Sequence, residues 1–196
     1  MAEITSIIQN IVLAICGVAT VLIASKGLTT WRKELKGKSE YAKAKEVLKA
    51  VYRVRDAFGQ VRNSFIYGFE YDEKFLDQSG HLKEEHKYEG NSQLYEDRWK
   101  YIVKAFQELE EQNLDAQVEW GSEFQNVIIP LRQCRAKLKT TIWQFLENIK
   151  EPVWDRIEIN KVLYQQDENS EHGDFTREIN SAVGEFENRL RPLIEK

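Results

Sequence analysis

Residues 95–149 read YEDRWKYIVKAFQELEEQNLDAQVEWGSEFQNVIIPLRQCRAKLKTTIWQFLENI. Tyr95, Trp99, Ile102, Phe106, Leu109, Asn113, Ala116 and Trp120 recur at steps of four and three. Phe124, Val127, Leu131, Cys134, Leu138, Thr141, Phe145 and Ile149 carry the pattern on. That spacing keeps one stripe on one side of an α-helix. The stripe stays nearly in phase throughout; an irregularity falls at Trp120–Phe124, where a step of four follows a step of four. The periodicity predicts one long, coiled-coil-like central helix of roughly 80 Å at ~1.5 Å per residue. Two helices meeting near residues 111–115 are the alternative. Pro130 is expected to bend the helix, because its ring removes a backbone hydrogen bond.

Outward from this segment the same period recurs. Ser39 suits a helix N-cap, and Tyr41, Ala44, Leu48, Val51, Val54, Phe58 and Val61 share a face up to about Asn63. Residues 64–91 lose the period, hold three glycines and the run FEYDEKF, and read as a long loop with a short helical turn. Residues 151–173 form a second irregular stretch. Asp174 then opens a last helix with Phe175, Ile179, Val183, Phe186, Leu190 and Ile194 facing inward. No alternating strand pattern and no repeat occurs, so the expected class is all-α, a bundle of three or four helices.

The other end of the chain is apolar. Residues 4–25 are twenty-two in a row without a charge, about 33 Å of helix against a hydrocarbon core of about 30 Å. They are expected to form a retained N-terminal transmembrane helix, since only three residues precede the run and Leu22-Ile23-Ala24 is a poor cleavage site. Lys26, Arg32, Lys33, Lys36 and Lys38 follow it. This places residues 26–38 as a basic juxtamembrane connector and residues 39–196 as a cytoplasmic helical domain, single-pass in a bacterial inner membrane. Ser6, Asn10, Ala14, Gly17, Thr20 and Ala24 line one side of the run. Such a stripe favours association with another helix, in a homo-oligomer or with a membrane partner, and a water-lined pore is the sharper alternative.

Charge is unevenly spread. Residues 26–63 hold eleven Lys/Arg against four Asp/Glu, and residues 64–196 hold seventeen against twenty-seven. Lys43, Lys45, Lys49, Arg53, Arg55 and Arg62 are candidates for contact with anionic lipid, a nucleic acid or a nucleotide. Pairing with the acidic remainder of the chain is a further reading. Arg55 and Arg62, seven apart, share a face, whereas Arg53 and Arg55 do not. Cys16 and Cys134 show no zinc spacing, and Cys134 sits on the apolar stripe as a small core residue. His81 and His86 lie in a Lys/Glu-rich loop. There is no phosphate loop, nucleophile elbow or metalloprotease motif. The reading is a protein that is not an enzyme and needs no cofactor or metal.

One short span followed by WRKELKGKSEYAKAKEVLKAVYRVRDAF (residues 31–58), EWGSEFQNVIIPL (residues 119–131) and a helical C-terminus resembles a group of bacterial membrane proteins. The layout is similar to the membrane effectors of Hailong-type anti-phage defence systems. The resemblance implies a channel-forming or membrane-disrupting effector, held silent by a nucleic-acid ligand until infection. It carries no functional residue over. The expected function is a membrane-anchored effector that self-associates under control of a ligand or partner of its helical domain. The alternative is a membrane scaffold or adaptor that recruits a cytosolic protein.

Overall fold

Ala44, Val47, Leu48, Val51, Val54, Phe58 and Val61 recur at steps of three, one and four, and all are buried. They are the inner face of the last part of helix α1, Ala2–Val61. The protein is seen here as a computed structural model describing residues 2–195, without the side chains of residues 2–12, Ala14 and Glu123. It comprises two compact units, Met1–Ala42 and Lys43–Lys196. Among the described residues there is no strand, only an isolated bridge between Leu76 and Leu82. The all-α class is as expected.

In the second unit, residues 43–61 of α1 pack with α2 (Lys87–Trp120), α3 (Ile129–Lys150), α4 (Arg156–Leu163) and α5 (Asp174–Ile194). Contacts across the helices fix their directions. Phe58 meets Phe106 of α2 and Phe175 of α5 edge to face, at 6.0 and 6.3 Å. Lys43 pairs with Asp115 and Arg53 with Glu108, so α2 runs antiparallel to α1. Tyr95 meets Phe145, and Arg132 meets Glu110, so α3 turns back along α2. Tyr52 donates to Glu187, which makes α5 antiparallel to α1 and closes an up-down-up-down four-helix bundle. Ile102, Phe106, Leu109, Leu131, Leu138, Phe175, Phe186 and Leu190 fill the centre. Each such side chain contributes roughly 1.5–3 kcal/mol on burial.

The expected single central helix is two. Helix α2 stops at Trp120, Gly121 takes φ 88° and ψ −179°, and a 3-10 turn over Ser122–Asn126 leads into α3. That backbone conformation is open to glycine almost alone. Pro130 does not bend a helix; it stands in the first turn of α3, where its missing N–H costs nothing. The two helices then fold into a hairpin that buries both halves of the stripe against each other.

Residues 62–86 are tied down rather than free. They form one-turn helices at Gly68–Glu70, Glu73–Phe75 and Glu84–His86. Arg98, buried on α2, donates from Nη1 to Asn63 O (2.6 Å), from Nη2 to Phe65 O (2.9 Å), and from Nε and Nη2 to the Glu70 carboxylate (2.8 and 3.0 Å). Glu70 Oε1 also accepts from Tyr67 N–H. The Arg98 hydrogen bonds hold the Glu70 carboxyl below its ordinary value of 4.5, with the Tyr67 amide adding to the shift and partial burial opposing it. Its stabilisation is therefore present above about pH 4.5 and lost as pH falls through the folded value.

The first unit corrects the membrane reading. Among the described residues, no helix is long and apolar enough to cross a membrane. The transmembrane helix at residues 4–25, the single-pass inner-membrane localisation and the channel are not supported. Residues 26–38, expected as a basic connector, are helical: α1 continues through them, with Glu34–Lys38 and Lys36–Glu40 pairs along its surface. Leu13, Ile15, Val18, Val21, Leu22 and Ile23 are all more than half exposed around the helix.

Gly121→Ala forces a Cβ onto a backbone geometry that L residues rarely adopt. It is expected to destabilise the protein by about 1–3 kcal/mol without lengthening α2. Urea unfolding measures the first effect, and unchanged helical circular dichroism the second. An unaltered stability would mean that the hairpin turn does not hold this conformation.

Candidate functional site

A groove of about 240 Å³ runs between α2 and α3, lined by Tyr95, Trp99, Ile142, Trp143 and Leu146, with Glu96 and Lys139 at its rims. The helical period explains its composition: Tyr95 and Trp99 are one turn apart on α2, and Ile142 and Leu146 one turn apart on α3. Tyr95 is buried, and that burial raises its phenol pKa. Trp143 is half exposed. Its indole meets Trp154 edge to face at 5.2 Å.

Trp154 is held there by Asn148, a buried polar residue near the end of α3. Asn148 Oδ1 accepts from Val153 N–H and Trp154 N–H, both at 2.9 Å, and its Nδ2 donates to Trp154 O at 2.8 Å. Asp155 then accepts from Ile157 N–H and caps α4. The turn leaves Val153 exposed beside the tryptophans. A second exposed aromatic group lies on the segment that Arg98 clips: Phe65, Tyr67 and Phe69, with the last two rings stacked at 5.3 Å.

The sequence-derived basic residues do not form one surface. Lys43 pairs with Asp115 at 2.6 Å, Lys49 with Glu46 at 2.9 Å, and Arg53 with Glu108 at 2.6 Å. Lys45 is exposed. Arg55 lies over Tyr52 and 3.3 Å from Asp56. Arg62 is buried, not on the outer face. Arg55 and Arg62 nevertheless line one cleft.

Of the small-residue stripe, the side chains of Ser6, Asn10 and Ala14 lie outside the described residues. Gly17, Thr20 and Ala24 are exposed, and Thr20 Oγ1 donates to Cys16 O on its own helix. Cys134 is buried on α3, and burial pushes its thiol up to about 11, so it is protonated at neutral pH. His81 lies 4.0 Å from Asp77, and the His86 ring is tilted against Phe75 at 5.6 Å. Among the described residues no group of three His, Cys, Asp or Glu is arranged to hold a metal ion.

No family profile, no curated protein and no solved structure matches the chain. The chemistry of the groove therefore has to be read from its own residues. It offers aromatic and aliphatic surface with a charge at either rim, the composition of a protein-docking patch. The spacing places Trp99 on the apolar stripe but not Trp143, which stands two residues from both Thr141 and Phe145 and so on the other side of α3.

Asn148→Ala leaves two backbone N–H groups of the α3–α4 turn without an acceptor. The expected loss is about 1–3 kcal/mol, with a red shift in tryptophan emission as Trp154 leaves Trp143. An emission maximum like that of the unsubstituted protein would show that Asn148 does not set this turn.

Proposed function

We propose that this protein is a non-enzymatic scaffold: copies gather through the first part of α1, and the bundle recruits a partner protein through the Trp99–Trp143 groove. The groove is the observation that carries the reading. Tryptophans held rigid at the surface give large contact area at low entropic cost, and they dominate binding energy where they occur in interfaces. Lys139 lines the groove from α3 and is exposed, and the other exposed cations of that helix, Arg132, Lys137 and Lys150, are paired with Glu110, Glu178 and Glu147. The fitting occupant is an amphipathic segment of another protein, with bulky apolar anchors for the groove and carboxylates on the side that meets α3.

Self-assembly is supported by residues 13–35. A helix that is apolar on all sides is stable in water only when other helices cover it. Leu28, Trp31 and Leu35 extend the exposed apolar surface beyond the uncharged run. Copies of the same helix, bundled, cover this surface, and the mixed Glu34–Lys38 and Lys36–Glu40 pairs keep the charged part solvated.

Two measurements test the two halves. A designed amphipathic peptide with Leu anchors and a Glu-rich edge is expected to bind saturably by tryptophan fluorescence. Trp143→Ala is expected to weaken it at least about tenfold. Failure to bind, or binding indifferent to Trp143→Ala, would count against the docking groove. In sedimentation velocity the full chain is expected to be oligomeric and Leu22→Glu to shift it towards monomer; a monomeric unsubstituted chain would remove the assembly role.

A further inference from the structure

Two arginines are buried in the bundle, and their surroundings differ. Arg98 has the Glu70 carboxylate. Arg62, only 2% exposed, has no carboxylate partner among the described residues. Its Nε donates to Val162 O (2.8 Å), Nη2 to Tyr164 O (3.0 Å) and Nη1 to Thr176 Oγ1 (3.2 Å), and its carbon lies 4.8 Å from the centre of the Phe175 ring. All of these partners are neutral. Burial lowers the Arg62 pKa to about 10, so it stays charged at neutral pH. A guanidinium has five N–H groups; three are matched, leaving one on each terminal nitrogen.

The end of α4 compensates in part. Val162 O and Tyr164 O stand at its C-terminus, where a helix presents at most about half a negative charge. This explains why Arg62 ties α1 to the α4–α5 segment, a tie completed by Gln165 N–H donating to Arg62 O at 2.8 Å. It does not neutralise a full buried charge.

Arg62 lines an open cleft of about 630 Å³, and so does Arg55, one helical stretch earlier on α1. Arg55 contacts the Asp56 carboxylate at 3.3 and 3.4 Å, lies over the Tyr52 ring, and its charge helps to lower the Glu187 carboxyl. Gln60, Asn63, Gln165 and Asn180 add neutral polar groups to the wall, and Phe58 and Ile179 form its apolar part. Asp56 is its one carboxylate, and it sits beside Arg55. We propose that this cleft binds a small phosphate-bearing ligand, whose oxygens take the free N–H groups of Arg62 while Arg55 closes over it. Phosphate suits the site because a planar guanidinium offers paired donors that match its oxygens. The cleft volume falls within the range of small-molecule sites.

The test uses the full chain and inorganic phosphate, with sodium chloride at equal ionic strength as reference. Phosphate is expected to raise the thermal midpoint saturably, as a ligand of the native state alone must. Arg55→Ala, a partly exposed change, is expected to weaken phosphate roughly tenfold with the fold intact. Arg62→Lys keeps the charge but loses the planar fork, and is expected to abolish the saturable shift; if it does not fold, Arg55→Ala decides. Lys45→Ala on the same helix should behave as the unsubstituted protein. So should Trp143→Ala, which separates this site from the docking groove. A midpoint that rises no further in phosphate than in chloride overturns the proposal, as does an equal response from Arg55→Ala and Lys45→Ala.

Discussion

Arg98 is a cation that the fold has taken almost wholly out of water, and the geometry at the end of α1 depends on it. Its guanidinium binds Asn63 O and Phe65 O just past the helix and the Glu70 carboxylate one turn further on. Those groups would otherwise be unpaired near the core, where an orphaned polar group costs about 1–3 kcal/mol. Removing one partner of such a pair costs more than the pair itself contributes, because the other charge stays behind. The chain leaving α1 is thus committed to α2, and the aromatic rings of Phe65, Tyr67 and Phe69 are displayed from a fixed backbone.

Arg62 does the corresponding work on the opposite side of the same chain segment. It joins the α1 terminus to the carbonyls that end α4 and to Thr176 in the first turn of α5. With Arg98 it makes residues 62–70 a junction where all the bundle's elements but α3 are held by side chains of one type. The difference in compensation between them, a full carboxylate against partial dipoles, links the architecture to the ligand cleft. The junction lies in the second unit.

Much of the bundle was legible because burial and spacing agree. Phe175, Ile179, Val183, Phe186 and Leu190 recur at steps of three and four and are all buried, and the face from Ala44 to Val61 behaves the same way. The α2–α3 break was not legible from periodicity, since the stripe crosses it nearly in phase. The signal was Gly121 beside the doubled step of four at Trp120–Phe124. The acidic partners of the basic face were not legible for a different reason: Asp115 and Glu108 lie more than fifty residues from Lys43 and Arg53, and spacing along one helix cannot reveal them. Arg62 and Arg98 were readable in principle. Arg62 follows Phe58 by four, and Arg98 lies three past Tyr95 and four before Ile102, so each is a lone arginine in register with an apolar face. The apolar run at the N-terminus was read by length and composition alone, which do not fix what surrounds a helix.

The most direct test of the junction is a double-mutant cycle on Arg98 and Glu70, with urea unfolding of the unsubstituted protein, Arg98→Met, Glu70→Gln and the double variant. Methionine fills similar space without charge, and glutamine keeps the shape of Glu70 without its titration. The account predicts a coupling of about 1–3 kcal/mol at neutral pH, shrinking as pH falls through the lowered Glu70 value. Additive effects of the two substitutions, with the same acid dependence in all four proteins, would contradict it.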